Sequence, residues 1–206
     1  MTAAAVDVTR LTKRQLAAVG PVLARAFFDD PFTVFGLPDE RKRRRVLPWL
    51  FERTTRYAYR YGEVYTTGDA VEGAALWLPP GDVLTGPVRM LLVGMWQFPV
   101  RIGLADTRRF FSAASHLEEL HKQVPPDHWY LAVLGVDPPR QGQGVGGSLI
   151  QPILSRADAD GLPCYLETEK AINVTFYRKH GFEVVVEGDI PKGGPHFWTM
   201  RREPKR

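Results

Sequence analysis

Cysteine occurs once in 206 residues, as Cys164, which excludes an intramolecular disulfide and a cysteine-rich zinc centre and points away from an oxidising compartment. Long apolar runs are missing too. The longest uncharged one, from Met90 to Val100, is bounded by Arg89 and Arg101 and interrupted by Gln97 and Pro99, well short of the roughly 20 residues that span a bilayer. The start, Met1-Thr2-Ala3-Ala4-Ala5-Val6-Asp7, has no basic segment ahead of an apolar one, so no secretory signal is expected. No internal repeat, low-complexity tract or metal-ligand spacing is present. The expectation is a cytoplasmic protein with no membrane span and no metal site. What remains is a globular composition, 44% hydrophobic and 24% charged with 5 Trp, 7 Tyr and 11 Phe. That suits one domain over residues 1–206 with a full core.

Basic residues exceed acidic ones, 27 to 23, largely through Arg41-Lys42-Arg43-Arg44-Arg45 and a tail carrying Arg201, Arg202, Lys205 and Arg206. Such a run can bind nucleic acid or an anionic cofactor. No aromatic residue interleaves it and no nucleic-acid module is visible, so it reads as a solvated helix face.

Periodicity predicts a strand over 6–9, then a helix opened by the capping box Thr12-Lys13-Arg14-Gln15, with Leu16, Val19, Val22, Leu23 and Phe27 on one side and its end near Asp30-Pro31. A second helix follows Pro38-Asp39-Glu40 and stops at Gly62. Residues 63–67 and 71–78 read as a hairpin turning at Gly68-Asp69, and 83–123 as at least two helices split at Gly94 and Pro99. Then come a strand at 129–136, a helix from about 144 to 159, a strand at 163–168, a short helix at 173–180 closed by Gly181, and strands at 182–187 and 197–201. The class is α/β.

Between the strand at 129–136 and the helix after it lies Asp137-Pro138-Pro139-Arg140-Gln141-Gly142-Gln143-Gly144-Val145-Gly146-Gly147. This strand-to-helix junction aims several unpaired backbone N–H groups at one point, and such a point binds phosphate. Gly142-x-Gly144-x-x-Gly147 also satisfies the dinucleotide pattern, with Glu167 as the acidic residue about 20 positions on. In that fingerprint, however, the first Gly closes the strand directly, whereas here Asp137 to Gln141 intervene. Only 37 residues follow Glu169, too few for a second nucleotide-binding half. A P-loop is excluded because no Gly-Lys-Ser or Gly-Lys-Thr follows. Pro152 sits inside the next helix, where a proline costs about 3 kcal/mol and predicts a kink near Ser148.

The spacing Gln141-x-x-Gly144-x-Gly146 resembles the Q/R-x-x-G-x-G/A pyrophosphate loop of the GNAT superfamily of N-acetyltransferases. Within it, Pro152 together with Leu166-Glu167-Thr168, Asn173-x-x-Phe176-Tyr177-x-x-x-Gly181-Phe182, Gly194-Pro195 and Trp198-x-Met200 resembles the puromycin N-acetyltransferase branch. The resemblance covers 128–203; before it only Ala26-Phe27, Asp30-Pro31 and Ala75-Leu76-Trp77 are similar. It implies a single α/β domain whose mixed, mostly antiparallel sheet is splayed at the cofactor strand and flanked by helices. Residues 1–127 would form mainly the acceptor side and scaffold, and 128–206 the acetyl-CoA site and the C-terminal strands. The implied activity is acetyl transfer from acetyl-CoA to the primary amine of a small molecule, antibiotic-like or nucleoside-like. A protein amino terminus or lysine is the competing acceptor, and a silent CoA-binding or nucleic-acid-binding module the competing class. A monomer or homodimer is expected.

The resemblance also implies roles. Backbone of Leu134, Gly135 and Val136 would hold the pantetheine arm, and Gln141, Gly142, Gln143, Gly144, Val145, Gly146 and Gly147 the pyrophosphate. The N–H of Val136 or a neighbour would face the thioester oxygen, an effect worth about 3 to 4 kcal/mol when preorganised. Tyr177 matches the tyrosine that protonates the leaving thiolate, and a phenol with a reference pKa of about 10 suits that task; the alternative is a half-buried packing aromatic. Asn173, at i and i+4 from Tyr177, matches a cofactor-contacting asparagine or else caps its helix. For the base, alternation puts Glu167 on one face with Tyr165 and Glu169, beside the cofactor strand if the strands are neighbours. An ion-paired sheet residue is the alternative reading of Glu167. His128, His196, Asp30, Glu72 or a water chain are the other candidates. Cys164 alternates away from Glu167, against a covalent route. Among the aromatics of 83–123, Trp96, Phe98, Phe110 and Phe111 could hold an apolar acceptor, although most such residues are core.

Overall fold

Half of the capping box forms: Gln15 Oε1 accepts from the Thr12 N–H at 3.0 Å and its hydroxyl at 2.8 Å, but the Thr12 side chain caps no helix N–H and Gln15 itself is the cap residue. It stands between β1 (Val8–Arg10) and α1 (Leu16–Ala26) of a computed structural model that describes residues 6–68, 70–81 and 87–205. Asp30-Pro31 begins a helix rather than ending one. The Asp30 carboxylate accepts from the N–H of Phe32 at 3.1 Å and of Thr33 at 3.4 Å, and Pro31 takes the first helical position of α2 (Pro31–Gly36). Asp39 likewise caps α3 (Glu40–Tyr61), which ends at Gly62 as expected.

The hairpin forms as β2 (Glu63–Thr67) and β3 (Gly73–Leu78); Asp69 of its turn lies outside the described residues, as do 83–86. After it come α4 (Pro87–Leu92), a 3-10 turn at Met95–Gln97, α5 (Phe98–Ile102) and α6 (Leu104–His121). The second break falls at Gly103 and not at Pro99. Pro99 sits in the first turn of α5, where a helix has no use for its missing N–H. The chain continues through β4 (Trp129–Val136), α7 (Val145–Asp160), β5 (Cys164–Thr168), α8 (Ala171–Lys179), β6 (Glu183–Asp189) and β7 (His196–Arg202). Helix α7 runs unbroken through Pro152.

The strands form one sheet in the order β1-β2-β3-β4-β5-β7-β6, antiparallel except for β4 beside β5. Alternation along β3 sends Ala74 and Leu76 to a layer built by α1, α3 and α5 with Leu23, Leu47 and Phe98. Ala75 and Trp77 go to the opposite layer, where α7 packs Leu149 and Ile153 beside Leu131, Leu166 and Met200. Each such fully buried Leu or Ile contributes roughly 1.5–3 kcal/mol. No helix among the described residues is long and apolar enough to cross a membrane.

Strand β4 carries one extra residue. Leu76 lies opposite Val133 but Trp77 opposite Leu131, so Ala132 bulges and reverses the alternation. Before the bulge Leu131 faces the α7 layer; after it Leu134 and Val136 do, while Val133 faces α1 and α3. Next to β5, β4 pairs only at Trp129↔Cys164 and Tyr130↔Tyr165. Beyond that point the two strands diverge, which is the expected splay.

The basic run opens α3, with Arg41, Arg44 and Arg45 exposed and Lys42 and Arg43 engaged within the fold. Arg43 is buried and donates to the carbonyls of Leu37 and Pro38, both at 2.9 Å. Lys42 pairs with Asp106 and donates to the Ile102 carbonyl, and Arg44 pairs with Glu40.

Candidate active site

The glycine-rich loop leaves β4 through a 3-10 turn at Pro138–Arg140 and is pinned from both sides. Arg25 of α1 donates twice to Asp137, at 2.8 and 2.6 Å, and Arg140 pairs with Glu72 at 3.0 Å. The Gln141 side chain turns back to donate to the Val136 carbonyl at 3.0 Å, and Gln143 donates to that of Pro139. Gly142 and Gly144 take φ of +74° and +84°, a left-handed conformation that turns successive N–H groups inward. The N–H groups of residues 142 to 147 have no acceptor among the described residues, and the helical ladder begins only with Ser148 donating to Gly144. This concentration of donors at the positive end of α7 fits a pyrophosphate. Beside it lies an open depression of about 360 Å³ lined by Gly144, Gly147, Ser148, Gln151, Phe176 and His180.

The loop stands at the mouth of the gap between β4 and β5. Asp137 N–H donates to the Glu72 carbonyl on the β3 side, so alternation turns the N–H of Val136 and Leu134 to the other edge, into the gap. Gly135 is explained by packing: a Cβ there would meet Leu23 of α1 at 2.5 Å.

Tyr177 and Glu167 lie on opposite faces of the sheet. Tyr177 belongs to the α7 layer with Leu166 and is 6% exposed, its phenol pushed up by burial and by the nearby Glu169. Its hydroxyl makes no hydrogen bond within the described residues. Asn173 lies inside the first turn of α8 rather than at the cap, which is Lys170, and donates to Thr168 Oγ1 at 2.9 Å. On the opposite face, as alternation required, stands Glu167, its side chain 8% exposed. Burial raises its carboxyl to about 7, against the opposite pull of the nearby Tyr130 and Tyr165 hydroxyls. The Tyr165 hydroxyl lies close by without a full hydrogen bond. His121 Nδ1 is 3.7 Å from Glu167 Oε1. Glu169 is raised to about 8 by burial and by Asp30 and Glu167, and Asp30 has Lys170 at 3.9 Å.

Residues 27–182 match the acetyltransferase (GNAT) family. The chain belongs to that family. It is 28% identical over 180 residues, 84% of this chain and 72% of the other, to an uncharacterized N-acetyltransferase of Schizosaccharomyces pombe. A Corynebacterium glutamicum structure described as histone acetyltransferase HPA2 and related acetyltransferase superposes with a TM-score of 0.72 at 23% identity, covering 98% of each chain. Arylalkylamine N-acetyltransferase 2 of Aedes aegypti does so with 0.66 at 14% identity, covering 98% of this chain and all of that one. The mixed α/β sheet is thus the GNAT fold, and the protein is an acetyltransferase. GNAT enzymes draw their acetyl group from acetyl-CoA, and the open N–H groups of the loop and the free strand edge beside them fit that donor.

Three of the other candidates for the base have partners of their own. Glu72 is held by Arg140 on the loop. His196 is exposed and pairs with Asp189 at 2.8 Å at the end of the β6–β7 hairpin. Asp30 is spent as a helix cap. Of the aromatics, Phe98 is fully buried and Phe110 packs edge-on against it and Phe32, while Trp96 and Phe111 stay at the surface. Sequence reasoning missed His121 and Tyr130 altogether. Neither belongs to a motif: the pairing of β4 with β5 sets Tyr130 beside Tyr165, and the last residue of α6 brings His121 against those two rings.

Proposed function

We propose that this GNAT protein is a cytoplasmic enzyme that moves an acetyl group from acetyl-CoA directly to the primary amine of a small molecule. The observation that carries the reading is the set of open N–H groups of the loop beside the splayed edge of β4, with Tyr177 and Glu167 on opposite faces of the same sheet. Glu167, with its carboxyl near 7, is matched to collecting a proton from an amine at neutral pH. The Val136 N–H supports the oxyanion as the amine adds to the thioester. Tyr177 keeps its proton until a basic thiolate leaves, because burial makes its phenolate costly. Cys164 supports direct transfer by its unsuitability. It is fully buried, on the face away from Glu167, with its thiol pushed up to about 12.

The acceptor is read from charge. Asp30 lies 3.9 Å from Lys170, and Glu169 lies near Asp30 and Glu167; burial raises all three carboxyls, Asp30 and Glu167 add repulsion at Glu169, and a cationic amine entering there relieves it. The likeness to the puromycin N-acetyltransferase branch supports an antibiotic-like or nucleoside-like amine. The same fold carries an agmatine N-acetyltransferase at a TM-score of 0.59 and a Chaetomium thermophilum Naa20 with a bisubstrate analogue at 0.52, so peptide acceptors are the second reading. Thiol release from acetyl-CoA, measured across small amines and peptides with free amino termini, decides. Turnover is expected with cationic small amines. Turnover confined to peptides establishes the second reading, and none with any amine, together with salt-sensitive DNA binding, overturns the enzyme reading.

A further inference from the structure

Behind Glu167, on the side away from the gap, lies a chain of ring nitrogens that the proposed reaction has not used. His128 Nδ1 is 2.6 Å from the Pro125 carbonyl oxygen, an acceptor only, so that nitrogen carries the hydrogen. In the neutral ring His128 Nε2 is then a bare acceptor, and it lies 2.8 Å from His121 Nε2, which must donate. The remaining nitrogen of a neutral His121, Nδ1, is left with its lone pair, 3.7 Å from Glu167 Oε1. Both rings are kept neutral by their surroundings: burial lowers His121 to about 4, with His128 adding to the effect, and lowers His128 as well. Two acceptors facing each other in a dry pocket repel unless a proton lies between them. The place for that proton is filled when Glu167 is protonated, as it becomes during transfer.

Resting on the reading of Glu167 as base, the geometry points to His121 as the acceptor for the protonated Glu167, in a hydrogen-bond relay that runs from Glu167 through His121 to His128, with His128 holding the tautomer that leaves His121 Nδ1 free. As the amine adds, its N–H bond breaks and a Glu167 O–H bond forms, and that O–H turns to the lone pair of His121 Nδ1 while the His121 Nε2–H still donates to His128. Tyr177 has meanwhile given its own proton to the thiolate. When the products leave, the proton on Glu167 returns through water to Tyr177, so the catalyst is unchanged and no co-reactant is consumed. Other groups facing the relay are Tyr130 of β4, ring centre 4.4 Å from that of His121, and Tyr165 of β5 at 4.6 Å. Arg201 and Asp127 act on His128 with opposite sign. Lys122, next on α6, is turned to Glu118 and Glu119.

The test begins with the wild-type enzyme, labelled with 15N-histidine and compared with His121→Phe for assignment. At neutral pH the His121 Nε2 is expected protonated and its Nδ1 bare; a protonated Nδ1 overturns the inference. Steady-state kinetics supply the second reading. His121→Phe is expected to lower kcat roughly tenfold or more, to move the acidic limb of the kcat profile away from pH 7, and to leave KM for acetyl-CoA unchanged. A merely structural His121 would change stability and leave that limb in place, which overturns the relay. Glu167→Gln separates the two levels. If it retains full turnover, the base itself is wrong; if it is inactive while His121→Phe keeps wild-type kcat and limb, the base stands and only the relay fails.

Discussion

The roles proposed for Tyr177 and Glu167 rest on what surrounds two otherwise ordinary side chains. The Tyr177 hydroxyl bonds to nothing among the described residues, and burial plus the Glu169 carboxylate hold its proton more firmly than in water. Such a phenol donates only to a strong base, which a thiolate leaving a tetrahedral intermediate is. Tyr177→Phe removes one oxygen from a packed ring, and is expected to lower kcat about a hundredfold while KM for acetyl-CoA stays nearly unchanged. Steady-state rates with saturating amine check this, and an undiminished kcat would take Tyr177 out of the acid role. At this scale the sequence was informative where the spacing was local. Asn173 and Tyr177 share one helix face by arithmetic alone, and Glu167 follows from strand alternation. His121 did not, since nothing within its own segment marks it.

Among elements, the junction of β4 with α7 decides the donor site. Its left-handed Gly144 turns the chain so that helix N–H groups converge, and a side chain in that conformation costs roughly 1–2 kcal/mol. Gly144→Ala is therefore expected to raise KM for acetyl-CoA severalfold and lower the unfolding midpoint. Gly146→Ala serves as the contrast. Its new Cβ would lie 3.5 Å from Phe176 and 3.7 Å from Val136, ordinary contact distances, and both quantities should stay close to wild type. Equal effects from the two variants would show that backbone conformation at Gly144 is not what shapes the loop. Elsewhere, Asp30-Pro31 shows the limit of reading punctuation. Expected to stop one helix, the pair starts another, because the first helix has already ended at Ala26.

For the whole molecule, burying acids and histidines together ties stability to pH. Glu167 and Glu169, raised to about 7 and about 8, bind protons more tightly folded than unfolded. Their contribution is full below their unfolded values near 4.5 and is lost as pH rises through 7 to 8. His121, lowered to about 4, acts the other way: its contribution is present above its unfolded value near 6.5 and is lost as pH falls towards 4. The two trends oppose each other between 4.5 and 6.5, and above 6.5 only the carboxylates remain. Denaturant midpoints should therefore fall between pH 6.5 and 8.5, and Glu169→Gln should flatten that decline. An unaltered slope in Glu169→Gln would remove Glu169 as its source.

By itself the sequence determined what is short-ranged: the period of helices and strands, the capping residues, and the Gln141 to Gly147 loop with its left-handed glycines. These depend on neighbours within a few positions, so they are legible without the fold. Tertiary structure alone decided the reversal of β4 at Ala132, the burial of Arg43, and the meeting of α6 with β5. A bulge appears only when two strands are laid in register, and a pKa moves only when distant segments exclude water from it. The glycine-rich loop was therefore readable along the chain, whereas the raised proton affinity of the Glu167 carboxyl emerged only when residues far apart in sequence closed around it.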